Sequence, residues 1–390
     1  MKKIIKNAKI YTMSEAGILE NADILIQDDK IAEIGTINEE DVEADDIIDV
    51  AGKFVFPGFI DAHSHVGIFE DSMGFEGADG NEDTDPVTPH LRAIDGINPL
   101  DICFSEALSS GVTATATGPG SANVIGGQFA AIKTYGTRID NMIIKAPVAM
   151  KIAFGENPKR VYKEKNKTPV TRMATAAMLR DVLFKAAEYI SKKEKSAAKN
   201  EEVPEYNIKY ESLIPVLKGE IPLKAHAHRA DDIYTAIRIA KEFNLKLTLE
   251  HVTDGYLMLD ELKKEKYPCI IGPNLAGRTK IELKNLSFKN PGLLSKNGIM
   301  VAIMTDHPVI PIQYLALCAA LSVKDGMDEY EALKAITIHP AKILGIDDRI
   351  GSIEKGKDAD IVIMDGHPFD TFSTTHMVLV DGEIAYKAEK

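Results

Sequence analysis

Residues 55–65 read Val55-Phe56-Pro57-Gly58-Phe59-Ile60-Asp61-Ala62-His63-Ser64-His65, an apolar run that ends on two histidines two positions apart. Side chains two apart on a strand share a face, so a strand over residues 59–62 would aim two imidazoles at one point. A pair placed that way is the beginning of a cation grip. Six further strand-like runs follow, at residues 112–116, 148–153, 221–225, 245–249, 268–271 and 300–304, separated by helical patterns. Alternation of this kind predicts repeated βα units on a parallel sheet. A closed barrel needs eight strands. The eighth is expected at Met142-Ile143-Ile144-Lys145 or inside residues 160–220.

The chemistry-bearing residues fall where those strands end. His63, His65, His226, His251 and Asp306 each follow an apolar run, and Glu156 lies just past another. On a parallel sheet these positions gather at the carboxyl ends of the strands, the face where such folds build their sites. Ala225-His226-Ala227-His228-Arg229 offers a second pair. His226, nearer the strand, is read as a ligand, with His228 and Arg229 as contacts to substrate or to the ligands. A carboxylate at Asp306 would both hold a cation and accept a proton from an attacking water.

Composition narrows the field. The 390 residues carry 46 Lys and Arg against 59 Asp and Glu, a formal charge of −13. That excess repels phosphate backbones and anionic lipid, so neither nucleic acid nor a membrane is an expected partner. The three cysteines, Cys103, Cys269 and Cys318, lie far apart and form no CxxC pair. With no signal-peptide-like start, the expected location is the cytoplasm. The outer segments read as short strands: residues 24–27 and 30–34 flank Asp28-Asp29, and residues 360–364, 377–380 and 383–386 follow near the far end. Neither end has enough strands for its own core, so the two are expected to pair into one small β-domain. Helices are expected after Asp231-Asp232 and over residues 171–198, the latter fading into the charged run Lys192-Lys193-Glu194-Lys195.

The stretch over residues 55–65 resembles the first-strand signature of the amidohydrolase superfamily, its imidazolonepropionase-like branch in particular. Thr337-Ile338-His339-Pro340-Ala341-Lys342-Ile343-Leu344-Gly345 and the run from Ile350 to Val362 match it too, in order. The resemblance implies a (β/α)8 TIM-type barrel over residues 57–349 and a composite β-sandwich from residues 1–56 and 350–390. It implies a metal-dependent hydrolase of carbon–nitrogen bonds that carries His63, His65, His226, His251 and Asp306 as site residues. One or two Zn2+ ions are expected, with Fe, Mn, Co or Ni also suited to imidazole and carboxylate. Many members bridge two metals with a carboxylated lysine and others use a glutamate. This chain offers Lys151 and Glu156, of which Glu156, beside Gly155, is preferred. Asp306 is expected as general base and acid, with His228 against the oxyanion.

The expected substrate is a small molecule with an amide, dipeptide-like, N-acyl or lactam bond. Deamination of a heterocyclic amine and a catalytically silent scaffold are the alternatives. A homo-oligomer is expected by resemblance alone. An acidic insert between the first two barrel strands, residues 67–99, brings His90 and Arg92 as candidate substrate contacts. Residues 118–123 and 126–128 are glycine-rich and are expected to lie close to a ligand, without a phosphate-loop pattern.

Overall fold

In the computed structural model, which describes residues 1–200 and 202–389, the strands form two eight-stranded sheets. The first is built from both ends of the chain. β1 (Lys2–Tyr11), β2 (Ile18–Gln27), β3 (Lys30–Gly35), β4 (Asp46–Asp49) and β5 (Phe54–Pro57) come from one end. The barrel strands follow: β6 (Phe59–Ser64), β7 (Val112–Thr117), β8 (Ile125–Lys133), β9 (Ile143–Ala153), β10 (Leu223–Ala227), β11 (Leu247–His251), β12 (Cys269–Ile271) and β13 (Val301–Ile303). Then β14 (Ile361–Met364), β15 (Thr375–Val380) and β16 (Glu383–Lys387) return to the first sheet. β14 pairs antiparallel with β5, which joins the two ends directly. Alternate residues of these strands, among them Ile5, Ile10, Ile24, Val55, Ile361 and Leu379, share one apolar cluster.

The second sheet runs in the unbroken order β6 to β13 and is nearly closed. It departs from the expected all-parallel barrel at β8, which is antiparallel to both β7 and β9. This is the eighth strand. Residues 142–145 supply no separate one, because residues 143–145 open β9, and the described residues between 160 and 220 are helical or coiled. The glycine-rich reading of residues 126–128 concealed β8. Beyond them, Phe129 and Ala131 face one core cluster while Ala130 and Ile132 face another, the period-2 signal of a strand. The long helix Arg172–Lys199 is capped by the Thr171 hydroxyl accepting from Ala174 N–H, and the helix Ala230–Glu242 begins with Asp231 and Asp232 in its first turn. No helix among the described residues is long and apolar enough to cross a membrane.

The two sheets are tied by a buried ion cluster. Lys133, at the end of β8 and 3% exposed, reaches Asp358 (3.0 Å), Asp360 (2.7 Å) and Asp381 (3.0 Å) beside the strands of the first sheet. Arg349 and Lys30 also meet Asp358. Removing the lysine leaves the buried Asp360 carboxylate without a cation, facing Asp358 and Asp381. Lys133→Met is expected to cost about 3–5 kcal/mol of unfolding free energy in a denaturant titration, and a loss below about 1 kcal/mol would contradict this account.

Candidate metal centre

The barrel closes between β13 and β6 through a side chain. Asp61, fully buried on β6, accepts His63 N–H at Oδ1 (3.0 Å), and at Oδ2 the amide (2.9 Å) and hydroxyl (2.6 Å) of Thr305 beyond β13. Burial pushes its carboxyl up to about 6 despite those donors. The same seam is joined by Asp306 N–H to the His63 carbonyl (3.2 Å) and by His65 N–H to the His307 carbonyl (2.9 Å). His63, His65 and Asp306 are thereby brought together: Asp306 Oδ1 stands 3.3 Å from His63 Nε2 and 3.2 Å from His65 Nε2.

The outer nitrogens of these rings are already engaged. His63 Nδ1 lies 2.8 Å from Glu250 Oε2, His65 Nδ1 lies 2.6 Å from the Gly118 carbonyl, and His251 Nδ1 lies 2.8 Å from the Gly272 carbonyl. Each partner accepts, so each Nδ1 carries the proton and each Nε2 keeps its lone pair, the arrangement of metal-ligating histidines. His251 Nε2 is buried with no hydrogen-bond partner among the described residues. Potential ligand atoms of His63, His251 and Asp306 lie within 4.8 Å of one another, as do those of His226, His228 and His251. Buried neutral imidazoles with inward lone pairs and one ionised carboxylate fit a divalent cation, with His251 common to both groups.

Glu156 starts the helix Glu156–Glu164, and its side chain is in neither of these two groups. Lys151 is fully buried on β9 with Nζ 3.0 Å from His63 Nε2. Burial lowers its ammonium to about 8, with Asp306 and Glu250 opposing the fall. Gly155 does matter, for a different reason: at φ +84° it leaves room for Glu282, whose Oε2 would lie 2.8 Å from a Cβ there. Arg229 and Arg92 are held by near neighbours, Asp231 (3.0 and 2.9 Å) and Asp95 (2.9 and 2.7 Å) respectively, and not by the histidine groups. His90 is partly buried, with Nδ1 unpartnered, in a cavity of about 620 Å3 that the insert forms with Pro119 and Gly126. The insert is stitched to the barrel mouth: Phe69 packs edge-on against His65 at 5.6 Å, and Gly120 N–H donates to the Gly80 carbonyl.

Three residues escaped the sequence reading. Glu250, beside His251 on β11, accepts from His63 and from Lys224 Nζ (2.9 Å). Burial would raise its carboxyl, but Lys224 and His63 hold it down to about 2. Charged residues inside otherwise apolar strands were the available signal for Lys224 and Glu250. Glu282 lies after β12, in a stretch with no pattern.

The sequence profile of the Amidohydrolase family matches residues 54–385. The chain belongs to the amidohydrolase family. A solved amidohydrolase from Thermotoga maritima is 46% identical, superposes with a TM-score of 0.96, and is covered over 100% of its length by 99% of this chain. Amidohydrolase tasK of Hapsidospora irregularis is 29% identical over 92% of this chain, which spans 39% of that protein. A 5-methylthioadenosine/S-adenosylhomocysteine deaminase of Teredinibacter turnerae is 24% identical over 90% of this chain and 81% of its own length. As a member of this metal-dependent family, the amidohydrolase is a hydrolase.

Burial lowers His63 from 6.5 to about 4 and His228 to about 3, and lowers His226 and His251 as well. These rings stay neutral when folded and take protons when unfolded, so the unfolded chain binds more protons below pH 6.5 and stability falls as pH drops from 6.5 toward 4. Asp61, Asp232 and Asp360, raised by burial, work in the opposite sense, against these four rings and His90, His307, His339 and His367, which burial lowers as well. Chelator-treated protein is expected to show a melting temperature that declines steadily across that window in calorimetry. A flat or rising profile would contradict neutral buried imidazoles.

Proposed function

We propose that the amidohydrolase cleaves a carbon–nitrogen bond of the amide type, in a dipeptide-like, N-acyl or lactam substrate, with Asp306 handling the proton. The observation that carries this reading is the placing of one ionised carboxylate oxygen against His63 and His65 at the barrel mouth, beside the unfilled Nε2 of His251. Water adds to the amide carbon as Asp306 accepts its proton. The same proton then passes to the leaving nitrogen, so an acid and an amine are released. His228 presents its Nε2 to this space, Nδ1 facing Thr253 Oγ1 at 2.8 Å, and meets the carbonyl oxygen as that oxygen gains charge. A divalent cation such as Zn2+, held by His63, His65, His251 and Asp306, supplies Lewis acidity toward that oxygen and toward water when bound.

Lys151 takes the bridging role in this proposal. Its buried amine, lowered to about 8 and 3.0 Å from His63 Nε2, is suited to react with carbon dioxide to give a carbamate and a proton. The composite sheet is read as a sandwich closed over its shared apolar cluster.

A second reading, deamination of a heterocyclic amine, is favoured by the similarity to the Teredinibacter deaminase. A panel of dipeptides, acylated amines, lactams and aminated heterocycles separates the two, since only the last would release free ammonia. On whichever substrate is turned over, Asp306→Asn is expected to lower kcat by about 10²–10⁴-fold with the fold retained by circular dichroism. Unchanged turnover in that variant would remove Asp306 from the mechanism.

A further inference from the structure

Three segments that the proposed chemistry leaves unused meet beside the histidines. Ser121 lies on the stretch after β7 whose glycines suggested a nearby ligand, Asn157 in the first turn of the helix after β9, and Lys280 on the segment after β12. Asn157 joins them. Its Oδ1 accepts from Lys280 Nζ (2.7 Å), and its Nδ2 donates to Ser121 Oγ (2.7 Å) and faces His226 Nε2 at 3.4 Å. One amide group therefore separates the ammonium from the His226 ring. The Ser121 stretch is also anchored to the first histidine pair, because the Gly118 carbonyl accepts from His65 Nδ1 (2.6 Å).

Lys280 is half-buried, and an ammonium has three protons to donate. Among the described residues Asn157 Oδ1 accepts one of them, and the charge forms no ion pair. Glu282, two residues on, leaves it unneutralised: Oε1 faces His226 and His228 at 3.9 and 3.8 Å, and Oε2 takes Glu156 N–H. Ser121 Oγ accepts from Asn157, so the hydroxyl proton of Ser121 is also left to give. Burial lowers His226 and His228, and the Lys280 charge adds to the fall, so its field reaches both rings. A cation with spare donors, held beside the reacting groups by a neutral amide, is a receptor for an anion. In a chain of formal charge −13, a local cation of this kind is what admits an acid. We propose that Lys280 and Ser121 form an anion subsite that receives a carboxylate of the substrate, with Asn157 setting the position of the ammonium. The subsite rests on the amide reading and narrows it. With the carbonyl oxygen at His228, an N-acyl amino acid or a dipeptide carries its free carboxylate one carbon beyond the amide nitrogen, toward Lys280. A neutral acylated amine or an unsubstituted lactam would leave the ammonium unanswered.

The test compares N-acetyl amino acids and dipeptides with the same molecules amidated at the carboxylate, on the metal-loaded full chain. Wild type is expected to favour the acid by about 10–100-fold in kcat/KM. Lys280→Gln can still donate to Asn157 Oδ1 but carries no charge. It is expected to raise KM for the acid by that factor, with kcat and the carboxamide changed by less than about twofold, which abolishes the preference. Lys280→Arg is expected to restore part of it. A lysine that merely held Asn157 would affect both members of a pair alike. Circular dichroism checks the fold, and if Lys280→Gln misfolds, Ser121→Ala carries the test, with a loss of about 3–10-fold on the acid alone. Equal cleavage of acid and carboxamide by wild type, or a preference that survives in folded Lys280→Gln, overturns the anion subsite and leaves the hydrolase reading standing. If no pair is cleaved, the amide reading fails and the same pairs are titrated by calorimetry. Tighter binding of the acid that is lost in Lys280→Gln then upholds the subsite, and equal or absent binding overturns it.

Discussion

Asp61 closes the barrel where no backbone ladder does. β13 and β6 are the two ends of the eight-stranded order, and across the seam between them one fully buried carboxylate on β6 accepts the amide and hydroxyl of Thr305. That seam also sets the register of His63 and His65 on one side and of Asp306 on the other, through backbone bonds of 3.2 and 2.9 Å. Geometry at the first ligand group is therefore inherited from barrel closure. A side chain is a costlier fastener than a ladder, since its charge must be desolvated, which is why the Asp61 carboxyl is pushed upward.

Beneath the site lies a layer of charge that an apolar barrel core would lack. Lys224 donates to the Ala62 carbonyl and to Glu250, Glu250 accepts from Thr248 and from His63, and Lys151 reaches His63 from β9. Glu250 and Lys151 both meet His63, one at each ring nitrogen. Buried ion pairs contribute little net stability, because desolvation offsets the attraction, but they are intolerant of rearrangement. Fixing one imidazole tautomer and its direction is something an apolar layer cannot do.

The residues that announced the fold were those whose pattern is local. His63-Ser64-His65 after an apolar run, the Asp231-Asp232 helix start and the strands at both ends depend on near neighbours, and each was legible. β8 was not, because Gly126 and Gly127 suggested a loop and an antiparallel strand needs no long crossover helix to frame it. Glu156 was chosen over Lys151 because it sits past a strand end beside a glycine. The sequence could not reveal that Gly155 makes room for a carboxylate from residue 282, a relation across more than a hundred positions. Pairings such as Lys224 with Glu250 were equally hidden, since adjacent barrel strands are joined by long crossovers.

Two of the ligands sit on unfavourable backbone. His251, Val252 and Asp306 adopt φ of +72°, +49° and +54°, a region that side-chain-bearing residues enter at about 1–3 kcal/mol each. Glycine would relieve that cost at any of them, and the chain places glycine in positive-φ backbone at many other turns, including Gly155 and Gly272. At residues 251 and 306 glycine is ruled out by the chemistry, because an imidazole and a carboxylate must leave the strand end at that angle to face the barrel axis. Gly272 answers on the neighbouring strand, offering its carbonyl to His251 Nδ1. At residues 251 and 306 the unfavourable backbone aims a side chain into the site, and at Gly155 and Gly272 glycine admits or orients one.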